Sequence, residues 1–160
     1  LVIVVASTTA TAAELAAAKA PVVLDPLVNL PASFDALGAR LDNAARLQRA
    51  GVVVVFSMTG LAPHFAHKVR QSAGNAVAHG MPWDAALAGL TANPAAVFGL
   101  GASRGRIETG MVADLVLWNG DPLEVTSAAD QVWVGGKPMS MRSRQTELLD
   151  RYLPQATRQP

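Results

Sequence analysis

Three histidines, one aspartate beside a proline, and a short run of hydroxyl residues are the side chains whose type and spacing could do chemistry here. His64 and His67 stand three residues apart, so on a helix they share one face and could ligate a single metal. The pair lacks the glutamate of a helical His-Glu-x-x-His motif and any obvious third ligand. His64 is the better placed, because it follows the loop that leaves the valine-rich run at 52–56. His79, beside Gly80, reads as a cation at a helix C-terminus, where the dipole is negative. Parallel-sheet proteins place their chemistry where strands end. That points to Ser7, Thr8 and Thr9, to Asp25, and to residues 57–60. Ser7 and Thr8 read first as helix caps, and Asp25, before Pro26, as a turn residue at a strand tip.

Other chemistries fail on residue type or spacing. In the stretch from Gly99 to Gly105 the third glycine comes one residue late for G-x-G-x-x-G, and the stretch follows a helix pattern where the fingerprint follows a strand. A turn explains it better. The chain has no Walker A sequence and no G-x-S-x-G elbow. It has no cysteine, which excludes disulfides, thiolate metal sites and a cysteine nucleophile. Thirteen Lys and Arg against 12 Asp and Glu give a net charge of +1, so no field steers nucleic acid or an anionic membrane. With 51% hydrophobic residues in 160, the chain can build one real core.

The elements that must position these groups follow from two periods. Residues 1–6, 21–24 and 52–56 are short, β-branched apolar runs, the pattern of strands buried on both faces. Residues 12–19 and 37–50 carry helical spacing, and Gly51 is placed to end the second helix. A helix is expected over 64–79 and another over 82–91, with Asn93-Pro94 breaking and restarting it. Alternating strands and helices imply a parallel sheet. Beyond Gly99 the pattern turns antiparallel. Strands are expected at 106–110 and 112–118, a turn at Asn119-Gly120-Asp121-Pro122, and a hairpin from 131–134 into Gly135-Gly136. Residues 142–153 form a further helix and 154–160 a loose tail. The chain opens on Leu1 inside an apolar run, which reads as a portion of something longer.

A resemblance goes further than spacing. His79-Gly80-Met81-Pro82-Trp83-Asp84, then Leu90-Thr91-Ala92-Asn93-Pro94-Ala95-Ala96, resembles the last barrel helices of the amidohydrolase superfamily. Gly105-Arg106-Ile107-Glu108-Thr109-Gly110-Met111-Val112-Ala113-Asp114-Leu115-Val116 is similar to that family's glycine-x-isoleucine-glutamate-x-glycine-x-x-alanine-aspartate-leucine-valine pattern. Gly120-Asp121-Pro122-Leu123 and Val132-Trp133-Val134-Gly135-Gly136-Lys137 continue the series. Within the superfamily the chain most resembles imidazolonepropionase-like and prolidase-like members. The segments carrying this are Asp42-Asn43-Ala44-Ala45-Arg46-Leu47 and Arg70-Gln71-Ser72-Ala73-Gly74-Asn75.

The resemblance implies an α/β fold: residues 1–101 as the last three β/α units of a (β/α)8 barrel, 102–141 as strands of a small β-sandwich, and 142–160 as a C-terminal helix and tail. It implies a divalent metal, zinc foremost, in the longer protein, with none held tightly by this chain alone. Five of the family's ligands would lie upstream of Leu1. The sixth, an aspartate after the final strand, aligns with Thr59. A threonine hydroxyl replaces a carboxylate poorly in both metal ligation and proton transfer. Thr59 and His64 are therefore the expected catalytic positions, with Asp25 and Ser57 facing the substrate. The expected reaction is hydrolysis of an amide, cyclic amide or aminoacyl C–N bond in a small or peptide-like substrate. The competing reading is a non-catalytic amidohydrolase-like subunit. A flavodoxin-like or Rossmann-like binding domain is a third, without a phosphate loop. A sheet cut from a barrel exposes its edges, so self-association or a complementary chain is expected.

Overall fold

The computed structural model describes residues 3–4, 12–26, 34, 38–58 and 63–156. Its first part alternates strands and helices: β1 (Ile3–Val4), α1 (Ala12–Ala17), β2 (Val22–Leu24), α2 (Asn43–Arg49) and β3 (Val54–Phe56). The three strands form one parallel sheet in chain order, with Val22 opposite Val54 and Leu24 opposite Phe56. A 3₁₀ turn (Pro63–Lys68) then leads into α3 (Val69–Ala78), α4 (Trp83–Leu90) and α5 (Ala92–Val97). An antiparallel sheet follows, β4 (Leu115–Trp118), β5 (Ala129–Val134) and β6 (Lys137–Pro138), and α6 (Arg144–Ala156) ends the described chain.

Several boundaries differ from the sequence pattern for local reasons. α2 starts at Asn43, because Arg40 and Asp42 pair side chain to side chain in the turn before it. It ends as expected at Gly51, whose φ of 85° lets the amides of Gly51 and Val52 bond back to Gln48 and Leu47. The helix expected over 64–79 is 3₁₀ in its first five residues and α only from Val69. The strand expected at 106–110 is absent: Ile107 is 88% exposed, and Gly105 and Gly110 both take positive φ, so the segment turns without a partner strand. α6 runs through Pro154 to Ala156, since a proline costs a helix one amide yet keeps a helical φ. The hairpin of β5 and β6 turns on Gly135-Gly136, both at positive φ, as a two-residue loop requires. The expectations for 7–9, for the loop around Pro31 and for 157–160 lie outside the described residues.

One core joins both parts. Leu24, Leu47 and Val54 are fully buried, and Leu123, from the loop between β4 and β5, belongs to the same cluster. Two contacts bring that loop in. Gly74 lies so close under it that a Cβ there would sit 2.3 Å from the Leu123 carbonyl oxygen. Arg70 donates to the carbonyls of Pro122, Glu124 and Ser127 at 3.0, 2.6 and 2.9 Å, with its guanidinium 4.9 Å from the Trp118 ring centroid. Trp83 adds a bond from Nε1 to the Asp121 carboxylate. No helix among the described residues is long and apolar enough to cross a membrane.

Arg70→Ala removes the side-chain donor from three carbonyls, of which that of Glu124 keeps the Ser127 amide, and charge-assisted bonds of this kind are worth about 1.5–3 kcal/mol each but do not add. The expected loss in urea unfolding is about 2–4 kcal/mol, and Gly74→Ala should cost about 1–3 kcal/mol through overpacking. The Arg40–Asp42 pair predicts a pH effect. The guanidinium bond, with its charge, holds the Asp42 carboxyl below the ordinary carboxylate range. A group depressed on folding stabilises above its unfolded value, and the gain is lost as pH falls through its folded one. Asp42→Asn should therefore narrow the gap between urea midpoints at pH 7 and pH 3, by a small amount because the pair is solvent-screened.

Candidate functional site

The C-terminal ends of β2 and β3 lie side by side. Leu24 and Phe56 are register partners, and the Ser57 amide donates to the Leu24 carbonyl at 3.0 Å. Asp25 and Ser57, the next residues along each strand, are thereby brought to the same level at the sheet's carboxyl edge. Asp25 is 2% exposed and Ser57 half-buried. A carboxyl so deeply withdrawn from water is unusual at a plain surface turn, where Asp is mostly solvated.

Met58 continues the strand exit. Its sulfur accepts a hydrogen bond from the hydroxyl of Ser72, a fully buried residue of α3, at 3.2 Å. α3 thus touches the exit loop at Met58 and, one half-turn earlier, the antiparallel part through Arg70. Thr59 lies outside the described residues. His64 falls in the 3₁₀ turn Pro63–Lys68, and His67, three residues on, is exposed. Among the described residues, no group of three His, Cys, Asp or Glu could hold a metal ion.

His79 stands at the C-terminus of α3 as expected, with ring Nδ1 2.7 Å from the Asn75 carbonyl oxygen. A carbonyl only accepts, so Nδ1 carries the proton. Asp114 is structural: one carboxylate oxygen accepts from the Gly135 amide at 2.7 Å and the other from Arg104. A cavity of about 270 Å³ lies at the opposite end of β3, against Val52 and Val53, away from the strand tips.

Three polar residues escape sequence reasoning. Ser72 and Asn93 sit in helices whose pattern marks them only as non-apolar, yet Ser72 reaches Met58 and Asn93 Nδ2 donates to the Val54 carbonyl at 2.8 Å. Asn43, in the first turn of α2, is 1% exposed, and its carboxamide has no hydrogen-bond partner among the described residues. A signal for Asn43 existed in its place beside the apolar Ala44 and Ala45, at the start of a buried helix face.

With this geometry in place, comparison with known proteins decides the family. The model of the amidohydrolase family matches residues 50–139, more than half of the chain. The chain belongs to the amidohydrolase family. Amidohydrolase tasK of Hapsidospora irregularis is 47% identical over 58 residues, which are 36% of this chain and 6% of that protein. Among solved structures, an amidohydrolase from Thermotoga maritima matches with a TM-score of 0.76 and 29% identity, over 89% of this chain and 37% of its own. An adenosine deaminase from Xanthomonas campestris, solved with bound zinc, shares the fold at a TM-score of 0.62 and 20% identity, over 98% of this chain and 42% of its own. The chain therefore spans about two fifths of these solved relatives and a small part of tasK.

Ser72→Ala should leave the fold intact, cost about 1 kcal/mol or less, and free the Met58 sulfur. Peptide mass spectrometry after mild peroxide treatment should then find Met58 oxidised several-fold faster than in the wild type.

Proposed function

We propose that this chain is the C-terminal part of a metal-dependent hydrolase of C–N bonds, acting on an amide, cyclic amide or aminoacyl linkage. The observation that carries the reading is the amidohydrolase match over 50–139 on a chain whose parallel strands end together in Asp25 and Ser57. Residues 1–101 supply the last three β/α units of a (β/α)8 barrel, 102–141 part of a β-sandwich, and 142–160 a C-terminal helix and tail. Asp25 and Ser57 contact substrate: a carboxylate accepts from an amide N–H, and a hydroxyl both donates and accepts. Thr59 and His64, further along the chain after Ser57, act in this reading at the reacting bond.

The described residues do not fit a metal centre, since Asp25 is the one buried carboxylate among them and no three-ligand cluster exists. A divalent metal, zinc foremost, is held in this reading by residues outside the chain, and no step through it is assigned to this chain's side chains. A small-molecule or peptide-like substrate, and a second copy or complementary chain, complete the picture; nucleic acid and membrane have no part in it. A second reading, a non-catalytic amidohydrolase-like subunit, draws support from the same missing cluster and from Thr59 at the aspartate position.

Two measurements separate them. Zinc analysis should find well under one equivalent in this chain alone and at least one in the chain expressed with the polypeptide encoded upstream of Leu1. That assembly should hydrolyse N-acyl amino acids, dipeptides or cyclic amides, and Asp25→Asn should lower kcat/KM by about 10–100-fold. Metal retained with no C–N hydrolysis would favour the subunit.

A further inference from the structure

The loop between β4 and β5 opens on the one Asn-Gly pair in the sequence, Asn119-Gly120, and neither residue has a part in the proposed hydrolysis. The fold fixes both. Asn119 pairs twice with Ala128 across the mouth of the loop. Its amide donates to the Ala128 carbonyl at 3.1 Å, and its side-chain Oδ1 accepts from the Ala128 amide at 2.9 Å. Gly120 is required by contact, since a Cβ there would lie 2.8 Å from the hydroxyl oxygen of the buried Ser127.

The same arrangement sets an electrophile beside a nucleophile. Both residues are exposed to water. The Ala128 amide is aimed at the carboxamide oxygen, where negative charge gathers when Cγ is attacked, and a donor so placed stabilises that charge. Among the described residues, Asn119 Nδ2 and the Gly120 amide make no hydrogen bond, so the leaving group and the attacking nitrogen are both open. Gly120 carries no side chain to obstruct ring closure.

We propose that Asn119 is a self-modification site, whose deamidation frees the β4–β5 loop from α3. The Gly120 nitrogen gives its proton to water and bonds to Asn119 Cγ; the Cγ–Nδ2 bond breaks and ammonia leaves, closing a succinimide ring. Water then opens the ring. Cleavage of the new Cγ–N bond gives aspartate, and cleavage of the original C–N bond gives isoaspartate, with the main chain running through Cβ and Cγ. One water is consumed, one ammonia is released, and nothing is oxidised. Aspartate keeps an oxygen for the Ala128 amide. Isoaspartate adds an atom to the backbone where Gly120 already abuts Ser127, so the loop must shift. That shift draws the carbonyls of Pro122, Glu124 and Ser127 away from Arg70, and Leu123 out of the core.

The test ages this chain in mildly alkaline buffer at physiological temperature. Residue 119 is followed by peptide mass spectrometry and by labelling with an isoaspartate-specific methyltransferase. Isoaspartate is expected there at a rate within about threefold of that in the free peptide Leu-Val-Leu-Trp-Asn-Gly-Asp-Pro-Leu, while Asn43, Asn75 and Asn93 stay intact. Two variants should each slow the reaction by about 10-fold or more. Asn119→Gln has a larger ring to close. Gly120→Ala combined with Ser127→Ala removes the colliding oxygen and leaves the new Cβ 3.7 Å from that of residue 127. The isoaspartyl form, separated by ion exchange, should unfold at a lower urea concentration than fresh protein, with its tryptophan emission shifted to the red; Asn119→Asp should unfold close to the wild type. A folded chain that reacts about 10-fold or more slowly than the peptide, or a double variant that reacts as fast as the wild type, would overturn the site. An unchanged urea midpoint for the isoaspartyl form would overturn the release of the loop. Hydrolysis is no part of the readout, so these outcomes leave the proposed activity untouched.

Discussion

Arg70 holds the two halves of this chain in one body. Its guanidinium meets three backbone carbonyls of the loop between β4 and β5, and covers Trp118 at the start of that loop. Part-buried carbonyls left without donors are costly, so the docking of this loop on α3 is favoured by a cation with several N–H groups. Lysine would bring one charge and no fork. Gly74, one turn further on, removes the side chain that would keep Leu123 out of the core.

The same helix governs the strand tips. Arg70 faces the antiparallel sheet and Ser72 faces Met58, so the position of the β4–β5 loop and that of the β3 exit are linked through two residues of α3. The Leu24–Ser57 bond then ties that exit to β2 and levels Ser57 with Asp25. In this way the strand tips depend, through α3, on the antiparallel sheet.

Local pattern exposed the elements unevenly. The valine runs around β2 and β3, the stop at Gly51, the Asn93-Pro94 restart and the Gly135-Gly136 hairpin all follow from residues next to each other in sequence, and all are present. The strand expected at 106–110 failed because alternation needs a partner edge, and Ile107 has none to pair with. The early turn of the 64–79 helix failed because helical spacing does not distinguish 3₁₀ from α over six residues. For the site, sequence marked Asp25 and Ser57 as strand-end residues, while the depth of Asp25 and the contacts of Ser72 and Asn93 were invisible in it.

The sequence by itself determined the alternation of buried strands and helices, the change to antiparallel pairing after Gly99, and, through its ordered motifs, the amidohydrolase family. Those are properties of neighbours and of short spacings. Only the tertiary structure decided which polar groups meet. Arg70 finds its carbonyl partners 52, 54 and 57 residues away, and Asn93 reaches a strand 39 residues upstream. No periodicity spans such distances. The pairing is set by how the parallel sheet and the α3–α5 helices pack, and the register of β2 and β3 brings Asp25 beside Ser57.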